Sequence, residues 1–68
     1  MNMIPVVSSD LHSVGYENGT LYIRFHSGNT YAYFNVTESD YRGLMAAPSH
    51  GRFFHACIKN RYEYRRVA

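Results

Sequence analysis

The chain is expected to adopt an α+β fold, a small three- to four-stranded antiparallel meander with two short helices packed on one face. Three observations predict it: Asn18-Gly19 between two alternating segments, a further alternating aromatic run after Ser27-Gly28, and helix starts at Thr37 and Ser49. With 68 residues, 46% of them apolar and 16% aromatic, the chain suffices for one domain and is too hydrophobic for disorder. Its eleven Tyr and Phe are the natural source of core area. Residues 1–8 show neither a helical nor a strand period and are read as a loose N-terminal arm, which leaves 9–68 as the domain.

The first hairpin follows from its turn. Asn18 and Gly19 tolerate the positive φ that a type I′ turn requires at both central positions. Pairing outward sets Glu17 opposite Thr20, Tyr16 opposite Leu21 and Val14 opposite Ile23, so Val14, Tyr16, Leu21, Ile23 and Phe25 share a face. The second turn fixes the third strand, Thr30 to Val36. A two-residue loop at Ser27-Gly28 puts Ala32 and Phe34 on the Leu21/Ile23 face and Tyr22, Tyr31 and Tyr33 on the other, beside Arg24. A three-residue loop with a bulge exchanges the two sets on that strand. The two-residue loop is preferred.

Thr37 can cap a helix whose first turn holds Glu38 and Asp40, where acids favour the positive end of the dipole. Tyr41, Leu44 and Met45 form its apolar stripe, and Ala46-Ala47-Pro48 closes it. Ser49 can cap a second helix, burying Phe53, Phe54, Cys57 and Ile58, with Asn60 suited to the left-handed residue past its end. Arg52, His55 and Lys59 then fall on its outer face, and Tyr62-Glu63-Tyr64-Arg65 alternates as a short strand does.

Charge is concentrated toward the carboxyl end. From His50 onward five Lys or Arg face one acid, whereas residues 1–49 hold two against four. Basic and aromatic side chains interleave there, a pattern suited to nucleic acid. Ser49, His50 and Gly51 at a helix start could receive a phosphate, with Arg52 adding charge and Lys59, Arg61, Arg65 and Arg66 extending the track. Tyr22, Tyr31 and Tyr33 are candidates for base stacking or for a protein or homodimer contact, while Tyr16, Tyr41 and Tyr62 suit the core.

Catalysis has little support. Helical spacing sends His50 and His55 in different directions and places Cys57 on the apolar stripe, so no nucleophile faces a base. His12, His26, His50, His55 and Cys57 lack a familiar zinc spacing, the carboxylates are scattered, and lone glycines make no nucleotide fingerprint. No metal or cofactor is expected. Cys57 is single, and the apolar run Met3 to Val7 is brief and broken by Pro5, so a reducing, cytosolic setting without a membrane span is expected.

One ordered set of residues resembles a known family. Val14-Gly15-Tyr16, Leu21-Tyr22-Ile23-Arg24-Phe25 with Gly28, Tyr31-Ala32-Tyr33-Phe34-Asn35-Val36, Tyr41-Arg42-Gly43-Leu44, Ser49-His50-Gly51 and Ile58-Lys59-Asn60-Arg61-Tyr62 are similar to the KTSC domain. The similarity spans roughly residues 8–66. It departs at Thr37, where the family often has proline, and at Asn60, where it often has glycine. The family is named after a module at the C-terminus of certain lysyl-tRNA synthetases and also occurs as small free-standing proteins. The resemblance implies an accessory role in RNA metabolism.

Overall fold

The protein, described by a computed structural model over residues 2–68, forms a five-stranded antiparallel sheet in the order β1-β2-β3-β4-β5. The strands are β1 (Ile4–Pro5), β2 (Leu11–Glu17), β3 (Thr20–Phe25), β4 (Thr30–Tyr33) and β5 (Tyr64–Arg66). Between β4 and β5 lie helix α1 (Glu38–Ala46) and helix α2 (His50–Phe53), which runs on into a π-helical turn over Phe54–Ile58. The α+β class and the helices on one face are as expected, with five strands instead of three or four.

The first hairpin has the expected register. Glu17 pairs with Thr20, Tyr16 with Leu21 and Val14 with Ile23, and the turn residues Asn18 and Gly19 have φ of 52° and 80°. A bulge at His12 then lets Leu11 pair with Phe25 and join the inward set, although it lies three residues from Val14.

The second hairpin corrects the preferred register. Phe25 N–H donates to the Asn29 carbonyl and Gly28 N–H to the Phe25 carbonyl, both at 2.9 Å, so the loop is the three residues His26-Ser27-Gly28. Gly28 supplies the φ of 103° that such a loop needs after its turn. Strand pairs are therefore Leu21 with Tyr33, Tyr22 with Ala32 and Ile23 with Tyr31. One added loop residue inverts every side chain that follows, so Tyr31 and Tyr33 point inward and Ala32 shares the outer face with Tyr22. Phe34, expected inside, lies past the end of β4 and is 36% exposed.

The edges complete the sheet. Residues 4–5, within the stretch read as an arm, pair with Val14 and Ser13, and Val6 N–H reaches the His12 carbonyl at 3.1 Å. Pro5 lacks an N–H to donate and suits an edge. At the other edge β5 pairs with β4, setting Tyr64 beside Tyr33 and Arg66 beside Tyr31.

The core lies between the sheet's inner face and the helices: Leu11, Val14, Leu21, Ile23 and Tyr33 below, with Val36, Leu44, Phe54 and Ile58 above. Full burial of each such side chain contributes about 1.5–3 kcal/mol. Tyr16 and Tyr41 stack with ring centroids 4.5 Å apart, and the Tyr16 hydroxyl donates to the Val36 carbonyl at 2.5 Å. That bond ties the first hairpin to the approach to α1. Thr37 Oγ1 accepts from Asp40 N–H and Ser49 Oγ from Arg52 N–H, the two expected caps.

Helix α2 ends differently from expectation. Lys59 N–H donates to the Phe54 carbonyl at 2.9 Å, five residues back, and Arg61 N–H to the Ile58 carbonyl at 3.1 Å. Asn60 is not among the positive-φ residues, which outside glycine are Asn18 and Asn35. The helix thus leaves through a π turn and a following turn closed on Ile58, without a left-handed residue at Asn60.

Candidate aromatic binding cleft

The corrected β4 register and the β5 pairing place aromatic rings around one opening. Phe25 ends β3, Tyr31 and Tyr33 alternate inward on β4, Tyr64 stands between them on β5, and Phe54 descends from α2. Successive centroid distances are 5.8 Å for Phe25–Tyr31, 5.8 Å for Tyr31–Tyr64, 5.6 Å for Tyr64–Tyr33, 5.3 Å for Tyr33–Phe54 and 5.5 Å for Phe54–Phe25. The five rings form a closed circuit. They line a cleft of about 310 Å³ whose polar rim consists of Ser27, Asn29, His55, Lys59 and Asn60.

The rings do not contribute equally. Tyr33 is 4% exposed, Tyr31 is half-buried and Tyr64 is 59% exposed. Burial, and then the neighbouring Tyr64 and Tyr31 phenols, push the Tyr33 pKa up to about 12. No buried polar side-chain atom among the described residues lacks a partner, so the Tyr33 hydroxyl, which has no partner among those residues, opens into the cleft. The lining contains no carboxylate, and Lys59 is its one permanent cation. His55 is engaged at the rim, its Nε2 standing 3.1 Å from Asp10 Oδ2. Planar apolar walls with hydroxyl, amide and ammonium groups at the mouth suit a flat ring carrying an anionic substituent.

The basic residues are less gathered than the sequence pattern implies. One residue inserted into a turn rotates all that follows by about 100°. The π turn thus parts Lys59, at the cleft, from Arg52, which lies against shallow depressions beside Ser49 and Ala56. Arg61 lies 3.8 Å from Asp40 Oδ2, an oxygen that also accepts from the Tyr62 hydroxyl. Arg65 falls on the outer face opposite Ala32, and Arg66 on the inner face opposite Tyr31, its Nε 3.4 Å from the Ala68 carbonyl.

The start of α2 is already occupied by protein groups. Ser49 caps it, His50 Nδ1 stands 2.8 Å from the Leu44 carbonyl, and Gly51 is buried. A Cβ at Gly51 would stand 3.7 Å from Asp10 Oδ2. A carboxylate therefore sits near where a phosphate was expected.

Tyr22, Tyr31 and Tyr33 do not share a face. Tyr22 alone points outward, half-buried between the cross-strand residues Gly15 and Ala32. Phe25, Phe54, Tyr64, Ser27, Asn29 and Asn60 were not among the expected site residues. The alternation at Tyr62 to Arg65 was the available signal for Tyr64, and it needed the β4 register to become a location.

Among the described residues no group of three or more His, Cys, Asp or Glu could hold a metal ion, and no helix is long and apolar enough to cross a membrane.

Comparison with known proteins gives concordant matches. The family model of the KTSC domain matches residues 7–62. A protein of Tsukamurella paurometabola is 39% identical over 62 residues, which cover 88% of this chain and 92% of that protein. A lysine–tRNA ligase of Trichormus variabilis is 39% identical over 49 residues, 72% of this chain but 9% of the ligase. The crystal structure of a KTSC domain protein from Yersinia pestis superposes with a TM-score of 0.92 at 38% identity, covering 98% of this chain and 97% of that one.

Proposed function

We propose, for a chain that belongs to the KTSC domain family, that it is a non-catalytic accessory domain that contacts RNA by taking an unpaired base into the aromatic cleft. The observation that carries this reading is the circuit of five rings around a cleft of about 310 Å³ with Lys59 and two amides at its mouth. Every base has a π face, so stacking needs no particular sequence, and each stack contributes on the order of 1–3 kcal/mol. Lys59 supplies charge for the attached phosphate, and Asn29 and Asn60 supply donors and acceptors for a base edge. The likeness to a segment of lysine–tRNA ligases supports a setting in RNA metabolism. Cys57 fits a reducing, cytosolic compartment as a free thiol.

The alternative, a protein-contact or homodimer module built on Tyr22, Tyr31 and Tyr33, loses its shared surface because two of the three face the helices. Salt separates the readings. Binding of single-stranded RNA falls on a log–log salt plot with a slope of about −0.7 for each phosphate neutralised. A retained RNA whose affinity does not change with salt would refute the phosphate contact, and self-association in its place would favour the alternative.

A further inference from the structure

Resting on the reading of the cleft as an RNA contact, we infer that it accepts one nucleotide at a time, a single unpaired base with one phosphate, and not a run of stacked bases. Three observations lead to this. The first is size: about 310 Å³ is at the small end of ligand pockets, room for one base between walls set by Phe25, Tyr31 and Tyr64, with the buried Phe54 behind them. The second is charge. Lys59 is the cleft's permanent cation, while Arg61 is drawn to Asp40, Arg65 lies on the outer face, and Arg52 is turned away by the π turn. Arg66, on the inner face opposite Tyr31, holds its Nε 3.4 Å from the Ala68 carbonyl, so a second and third phosphate along a strand find no continuous track of cations.

The third is the pattern of free polar groups. The amides of Asn29 and Asn60 and the Ser27 hydroxyl have no side-chain hydrogen-bond partner among the described residues, and the Tyr33 hydroxyl opens into the same space. All four line the same opening. The absence of a carboxylate from the lining argues against an alkylammonium guest, which aromatic cages otherwise suit. Such a site engages a flipped-out loop nucleotide or a chain end.

The test is a titration of the whole domain, followed by tyrosine fluorescence and by NMR, with adenosine 5′-monophosphate, adenosine, ribose 5-phosphate and oligoadenylates of increasing length. The expected result is that the monophosphate binds with a dissociation constant of about 1 mM or below. Adenosine should bind more weakly, ribose 5-phosphate should not bind, and oligoadenylate affinity should rise no faster than the number of nucleotides offered. Lys59→Gln should weaken the monophosphate roughly tenfold and leave adenosine unchanged. Steep growth of affinity with length, with no binding of the monophosphate, would overturn the one-nucleotide inference and spare the RNA reading. Failure of every nucleotide and oligonucleotide to bind would overturn both.

Discussion

Raising the pH above 10 should destabilise this domain through Tyr33. The Tyr33 ring is buried with its hydroxyl at the cleft, and its pKa stands at about 12 against about 10 for a tyrosine in an unfolded chain. Because the unfolded state loses this proton first, stability is fully present below pH 10 and declines as pH rises through 12. A difference of two units corresponds to about 3 kcal/mol. A domain of 68 residues has a stability of roughly 3–10 kcal/mol, so this loss is a large share of the whole. Two measurements define the effect: ultraviolet absorbance of phenolate, and urea unfolding at a series of pH values. The phenolate of Tyr33 should appear only as the fold is lost, well above pH 10. Tyr33→Phe should remove the steep part of the decline while leaving stability near neutrality within about 1 kcal/mol. Absence of any phenolate component delayed beyond pH 10, with urea midpoints unmoved, would refute the inward placement of Tyr33 and with it the β4 register.

Other consequences concern single contacts. Gly43→Ala adds a Cβ that would stand 2.7 Å from Phe53 Cζ. The helix gain of about 1 kcal/mol should be outweighed by about 1–3 kcal/mol of overpacking, and adding Phe53→Leu should restore the gain in urea melts. Tyr16→Phe deletes the bond to the Val36 carbonyl and should cost about 1 kcal/mol, read as a lower melting temperature with unchanged secondary structure. Tyr64→Leu keeps apolar volume at a position 59% exposed, so stability should fall by less than about 1 kcal/mol. The same change should weaken RNA by about 1–2 kcal/mol through lost stacking, and equal retention by the variant would remove Tyr64 from the site.

Local chemistry made much of this molecule legible from its sequence. Asn18-Gly19 dictated a turn, and with it the pairing of Val14 with Ile23. Thr37 and Ser49 capped their helices because short hydroxyl side chains satisfy free first-turn N–H groups. The family resemblance rested on the order of short motifs along the chain, Val14-Gly15-Tyr16 and Ser49-His50-Gly51 among them. Two single-residue differences were hidden. Ser27-Gly28 is compatible with loops of two or three residues, and the choice inverts Tyr31 and Tyr33. The π turn at Phe54–Ile58 has no composition of its own, yet it separates Lys59 from Arg52, which α-helical spacing had placed together. Both differences act on the cleft, so its parts were visible in the sequence while their convergence was not. Ile4–Pro5 was hidden for another reason, since two residues are too few for a period and Pro5 argues against an interior strand.

NMR mapping of adenosine 5′-monophosphate on the domain tests the central claim most directly. Ring-current shifts should concentrate on Phe25, Tyr31, Tyr33, Phe54 and Tyr64, with the amide of Lys59 moving alongside and Tyr22 unmoved. Shifts gathered instead around Ser49, Gly51 and Arg52, or on the outer face about Tyr22, would contradict it.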